Sequence, residues 1–213
     1  MRHLSLIDQL LGKVDTALRT VCIPKQRTSN RASPANNLTD VSLDAPTKRH
    51  VAGLMRVNHA GEVCAQALYQ GQAATAKLDE VKAQMTAAAD EEIDHLAWCE
   101  ERLCELESRP SVLNPLWYMG SFMLGALAGV AGDRWSLGFV AETERQVTSH
   151  LQQHRQHVPA EDVKTQAILA KMQDDESQHA QAATDAGAAE LPFVVRQLMR
   201  GASKLLTFSS YYI

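Results

Sequence analysis

Glu92-Ile93-Asp94-His95 and Glu176-Ser177-Gln178-His179 are two copies of one pattern, E-x-x-H. On an α-helix a step of three residues returns to the same face one turn on. The carboxylate and the imidazole of each copy therefore stand side by side and can grip one metal ion. Both copies lie in long stretches rich in alanine, leucine, glutamine and glutamate, which are good helix formers. No segment alternates with a period of two, so no sheet is expected. A single E-x-x-H is weak, because on the order of one copy arises by chance in a chain of this length. Two copies on separate helices weigh more.

A wider repeat decides their meaning. Glu62 precedes the first copy by thirty residues and Glu144 precedes the second by thirty-two. The order Glu, E-x-x-H, Glu, E-x-x-H is the ligand set of the di-iron carboxylate four-helix bundles, in which two helices give one glutamate each and two give an E-x-x-H. Each candidate falls inside an apolar stripe: Glu62 with Ala65 and Tyr69, Glu92 and His95 with Cys99 and Leu103, Glu144 with Val140 and Val147, Glu176 and His179 with Met172 and Ala183. An unpaired carboxylate there would be costly. Glu142 shares its helical face with Gly138, Arg145 and Ser149, which reads as a solvent face. Glu144 is therefore the expected ligand and Glu142 the fallback. Four buried carboxylates are neutralised by two divalent cations, and two neutral imidazoles complete the site. An oxygen-rich set with one histidine per metal suits iron or manganese better than zinc. The expectation is an all-α, ferritin-like four-helix bundle. It holds two iron ions per chain on Glu62, Glu92, His95, Glu144, Glu176 and His179.

The surrounding sequence divides simply. Residues 4 to 21 place Leu6, Leu10, Val14 and Leu18 on one helical face, and 24 to 46 are rich in Pro, Ser, Thr and Asn. Residues 1–46 read as a helical arm and flexible surface linker, and 47–213 as the metal-binding domain. Within the latter, long helices are expected over 47–76, 78–107, 115–156 and 160–186, the last three ending near Pro110, Pro159 and Gly187. The 213 residues suit one domain. A net charge of −4 and the absence of any recognisable module argue against nucleic acid as a partner. Cys22, Cys64, Cys99 and Cys104 form no C-x-x-C pair and read as small buried thiols of a reducing compartment. The start, Met1-Arg2-His3, turns polar too soon for a signal peptide.

Arg56-Val57-Asn58-His59-Ala60-Gly61-Glu62 resembles the signature of the Coq7 family of di-iron monooxygenases. The resemblance runs from about residue 45 to the C-terminus and includes Glu92 to His95, the apolar segment 120 to 132, Glu144, and Asp175-Glu176-Ser177-Gln178-His179. It implies hydroxylation of the ring of a prenylated demethoxyubiquinol with O2. It also implies that Glu92 and Glu176 bridge the metals, with Glu62 and His95 on one iron and Glu144 and His179 on the other. NADH as reductant rests on the resemblance alone, since no Gly-rich dinucleotide fingerprint is present. Two other functions share these ligands: a ferritin-like protein that oxidises and stores iron or handles peroxide, and a lipid-binding accessory protein held together by metal.

Residues 115 to 132 contain no charge and begin with Pro115, Trp117 and Tyr118. Eighteen residues is the lower edge for spanning a bilayer. The segment reads as a buried helix, as a surface dipping into one leaflet, or as a span, and a span would drag the metal site towards the membrane. The second reading suits an apolar substrate and makes Trp117 and Tyr118 interfacial anchors. Leu198, Leu205, Leu206 and Phe208, beside Arg196, Arg200 and Lys204, could share that surface. The expected location is peripheral, on the cytoplasmic face of the cell membrane. His150, nearly two turns after Glu144, is a candidate for a hydrogen bond near the site or a proton relay. His59 is either near the site, in solvent or in the core, and His154 and His157 read as exposed residues near a helix end.

Overall fold

Seven helices and no strand make up the described residues, 5–22, 24 and 27–213 of a computed structural model. They are α1 Leu6–Val21, α2 Ala45–Thr75, α3 Asp79–Glu105, α4 Asn114–Ala131, α5 Asp133–His157, α6 Val163–Asp185 and α7 Phe193–Tyr212. The Met1-Arg2-His3 start and the side chains of Leu6 and Leu10 lie outside the described residues. Start signals are local: Asp44 accepts from the Thr47 amide at 2.9 Å, with Pro46 in the first turn of α2, and Asp162 accepts from the Thr165 amide at 3.1 Å on α6. Gly187, at φ +94°, ends α6 in the left-handed region.

α2, α3, α5 and α6 form the bundle. One apolar block joins Val51 and Met55 of α2, Trp98 and Leu103 of α3, Leu151 of α5, and Leu169 and Met172 of α6. A second joins Ala65 and Tyr69 of α2, Met85 and Ala89 of α3, Leu137 and Ala141 of α5, and Ala183 of α6. The order in which each helix visits the blocks makes α2 and α6 run one way and α3 and α5 the other. The six candidate ligands lie in sequence between the two blocks on all four helices.

The stretch 115–156 is two helices rather than the expected one. Gly132 has φ +118°, which breaks the backbone ladder, and Asp133 then accepts from the Lys77 and Leu78 amides at 3.0 Å each. The break frees α4 to lie along α2. There Gly71 and Gly125 let the two backbones touch: a Cβ on either would overlap a carbonyl oxygen of the other helix, that of Phe122 or of Leu68. Tyr118 is buried and bonded to Gln70, and Phe122 is half-buried beside it, so Tyr118 is no interfacial anchor. The outer side of α4 exposes Leu116, Met119, Met123, Leu124, Leu127 and Val130, and α7 exposes Phe193, Val194, Leu198, Leu205 and Phe208. Among the described residues no helix is long and apolar enough to cross a membrane.

Cys99 is buried and Cys64 half-buried, but Cys22 and Cys104 are exposed, against the expectation of four buried thiols; all four are free. The stretch read as a surface linker packs onto the bundle, with Ser33 and Ala35 buried.

Candidate metal centre

The helical step places each pair as the spacing requires. His95 Nδ1 lies 3.0 Å from Glu92 Oε2, 3.1 Å from Glu176 Oε1 and 3.6 Å from Glu62 Oε2. His179 Nδ1 lies 3.1 Å from Glu176 Oε2 and 3.6 Å from Glu92 Oε1. Potential ligand atoms of Glu62, Glu92, His95 and Glu176 all fall within 4.8 Å of one another. Glu144, fully buried, faces the same cluster, and its Oε1 accepts from the Tyr69 hydroxyl at 2.5 Å. All six sequence candidates thus meet in one place. Glu92 and Glu176 each face both imidazoles.

Charge makes this cluster unstable as bare side chains. Burial first, and then repulsion from Glu176, pushes the Glu92 and Glu144 carboxyls well above the usual carboxylate range. Burial acts the same way on Glu176, but hydrogen bonds from His179 and His95 outweigh it and hold its pKa down to about 2. Burial lowers His179, yet Glu176 and Glu92 together raise it to about 9. The cluster, left to itself, therefore holds protons in the places where cations would sit. Hydrogen bonding makes the same point. One hydrogen on His95 Nδ1 faces three carboxylates and serves at most one. Glu92 Oε1 and Glu144 Oε2 are buried with no hydrogen bond, and Glu176 Oε1 has only the His95 Nδ1 that two other carboxylates share. Orphaned carboxylate oxygens and inward-facing Nδ1 atoms are the donor set a pair of divalent cations requires.

The outward nitrogens are held by two acids that local pattern did not single out as functional. His95 Nε2 is 3.1 Å from Asp175 Oδ2, and His179 Nε2 is 3.0 Å from the half-exposed Glu91. Both acids immediately precede a candidate ligand, Glu176 or Glu92; that adjacency was the signal for Glu91, and Asp175 also opens the family-like stretch through His179. Tyr69 was read as part of an apolar stripe; its hydroxyl binds a ligand candidate instead.

Other expectations changed. Glu142 is buried, because the chain after α6 folds back over that side of α5: the Ala189 amide donates to the Arg134 carbonyl at 2.8 Å, and a Cβ at Gly138 would overlap the Ala189 carbonyl oxygen. Its Oε1 accepts from Gln146 at 2.7 Å. His154 is buried rather than exposed. Its ring packs on His150 at 3.9 Å between centroids, and its Nδ1 meets Asn58 Oδ1 at 2.9 Å. His157 is exposed as expected. His59 belongs to the core, between Glu100 and Asn114 at 3.2 Å each.

A cavity of about 280 Å³ lies between α2, α4, α5 and α7, and Glu62 and His150 are both in its wall. Leu68, Trp117, Phe139, Val147, Leu151 and Leu206 make most of it apolar. Leu124 on α4 and Ala202 on α7 line it and are exposed, so it meets the surface between those helices. Burial lowers His150 to about 4, which leaves it neutral at pH 7, and its Nε2 is buried without a partner.

Comparison with known proteins gives the family of the chain and a likeness of its fold. The model of the family described as ubiquinone biosynthesis protein COQ7 matches residues 49–210. A 3-demethoxyubiquinol 3-hydroxylase of Legionella pneumophila (strain Corby) is 64% identical over 213 residues, the whole of both chains. One from Acinetobacter baylyi is 55% identical over the same extent. Among solved structures, the dodecameric thioferritin, a bacterioferritin-related protein of Bacteroides fragilis, aligns with a TM-score of 0.55 at 20% identity. It covers 65% of this chain and 84% of its own, a likeness of fold.

Proposed function

The chain belongs to the family of the ubiquinone biosynthesis protein COQ7, and from that premise we infer how its residues divide the work of hydroxylating a quinol. It is a 3-demethoxyubiquinol 3-hydroxylase, and its substrates are a quinol and O2. The observation that carries the detailed reading is the meeting, at Glu62, of the buried carboxylate–imidazole cluster with the apolar cavity.

Two irons held by Glu62, Glu92, His95, Glu144, Glu176 and His179 would supply the activation of dioxygen. Glu92 and Glu176, facing both histidines, would be shared by the two irons, with Glu62 beside His95; Glu144 would complete the set. Tyr69 fixes Glu144 by its hydrogen bond. The quinol ring enters the cavity and lies against Glu62. Neutral His150 accepts a hydrogen bond from a ring hydroxyl and so orients the ring. The apolar wall excludes water, and Cys64 in that wall stays a neutral thiol because burial pushes it up to about 12. The prenyl tail leaves between α4 and α7. An apolar approach of this kind has no use in an iron-storage protein. Our candidate for the reductant is NADH.

The test is direct. Anaerobic loading should give about two irons per chain. The loaded protein, given a prenylated demethoxyquinol, reductant and ¹⁸O2, should yield ring-hydroxylated product with one labelled oxygen by mass spectrometry. One zinc and no iron, or no labelled product, would sink the reading.

We place the protein peripherally, on the cytoplasmic face of the cell membrane; the exposed apolar sides of α4 and α7, with Arg196, Arg200 and Lys204 beside them, would supply a lipid contact. Burying a large apolar side chain contributes about 1.5 to 3 kcal/mol, so a few suffice for reversible binding. Met123→Asp with Leu127→Lys charges exposed positions without entering the core. This pair should weaken liposome flotation and slow long-tailed substrates more than short-tailed ones, with iron content unchanged. Undiminished flotation would place the lipid contact on another surface.

A further inference from the structure

The two histidines of the centre differ in what stands behind them. Glu91, behind His179, is half-exposed and, among the described residues, has no lysine or arginine partner. Asp175, behind His95, is buried and held from two sides: Lys171 Nζ at 2.5 Å on Oδ1, and Arg31 Nη1 at 2.9 Å on Oδ2, the same oxygen that faces His95 Nε2. Arg31 lies 144 residues from Asp175 in sequence and outside residues 49–210, the region that the family model matches.

Arg31 is itself well fixed. Its Nε is 2.7 Å from Asp94 Oδ2, and the Asn30 amide donates to Asp94 Oδ1 at 2.6 Å. The guanidinium lies 5.1 Å from the centre of the Trp98 ring, and the Trp98 indole N–H faces the Arg31 carbonyl at 3.4 Å. Trp98 in turn packs against the His95 ring at 5.3 Å between centroids. A planar fork that spans Asp94 and Asp175 and rests on an indole is a geometry that arginine provides and lysine does not. The carboxylate behind a ligating imidazole fixes the ring's orientation and the nitrogen that carries its proton.

We propose that Arg31 is a positioning residue for the metal centre: it locks Asp175 against His95 Nε2, so that Nδ1 of His95, and not of His179, is held firmly towards the metals. The proposal rests on the di-iron reading above. It makes the two sites unequal, with the His95 iron held more tightly, and it gives the N-terminal segment a part in the chemistry of the bundle.

The test follows release of ferrous iron from the anaerobically loaded full-length protein to a chelator. Ferrous Mössbauer spectra and thermal melting are recorded alongside. The native chain should release its two irons in two phases. Arg31→Met should speed the slower phase about tenfold, as loss of an outer hydrogen-bond partner does, while leaving the faster phase alone and shifting one of two Mössbauer doublets. Arg31→Lys should fall between. Arg27→Met breaks a different contact of the same segment, Arg27 with Glu100 at 2.8 Å, and should leave both phases as they were. Several results overturn the proposal: a lower melting temperature for Arg31→Met with unchanged release, equal acceleration of both phases, or the same release change from Arg27→Met. A native chain that never binds two irons overturns the di-iron reading itself, and is told apart because it fails before any variant is compared.

Discussion

Glu144→Gln should abolish hydroxylation, and Glu142→Gln should leave most of it. Both acids lie on α5, both are buried, and they stand two residues apart. Only Glu144 faces Glu92 and Glu176, and it does so with one oxygen free of any hydrogen bond. Glutamine keeps the acceptor for the Tyr69 hydroxyl, so the fold loses no hydrogen bond there. It removes the charge that a cation needs. The loss in activity should exceed the roughly 10- to 100-fold expected for a partner outside the ligand set. Iron bound per chain, by elemental analysis, should fall together with product formed. The metal-free variant should melt no lower than the metal-free native chain, because a buried repulsion has been relieved. An active Glu144→Gln beside an inactive Glu142→Gln would mean that the face of α5 has been misassigned.

The second large effect is on stability. Gly125→Ala sets a methyl group against the Leu68 carbonyl, and no side-chain rotation can relieve a clash with backbone. α4 has to move off α2. Overpacking of this kind costs about 3 kcal/mol at the upper end of its usual range. Alanine's better helix propensity returns about 1 kcal/mol. The net loss of about 2 kcal/mol should lower the melting temperature by roughly 4–8 °C in a chain of this size. Gly120→Ala is the matched control on the same helix, where an added Cβ meets nothing within 4 Å. It should melt at or slightly above the native temperature. Equal melting of the two variants would show that α2 and α4 do not approach so closely.

Much of this was legible in the sequence, because the deciding signals are short-range. Pro110, Pro159 and Gly187 punctuate the chain near helix ends, and the E-x-x-H step needs only the geometry of one turn. The stripe containing Glu144 predicted the face that it turns to the cluster. What could not be read depends on distant parts of the chain. Gly132 breaks a helix, but it follows Gly120, Gly125 and Gly129 in the same apolar run, and only its positive φ sets it apart. Glu142 was assigned to solvent because its own helix gives no hint that residues after α6 lie over it. His154 is buried through a bond to Asn58, 96 residues away. Arg31 sits among polar loop residues whose composition resembles any linker, yet it reaches both α3 and α6.

The layer of charge between the two apolar blocks also sets how the molecule comes apart. Each block draws on all four bundle helices, so neither half of the chain can withdraw alone; the natural borders of local opening run across the helices, not between them. Fluctuations that expose the backbone around Met85 and Leu137 can stop at the acidic layer without reaching Trp98 and Leu169. Amide protection would then divide by height along the bundle. Cations neutralising that layer would fuse the two ends into one cooperative unit.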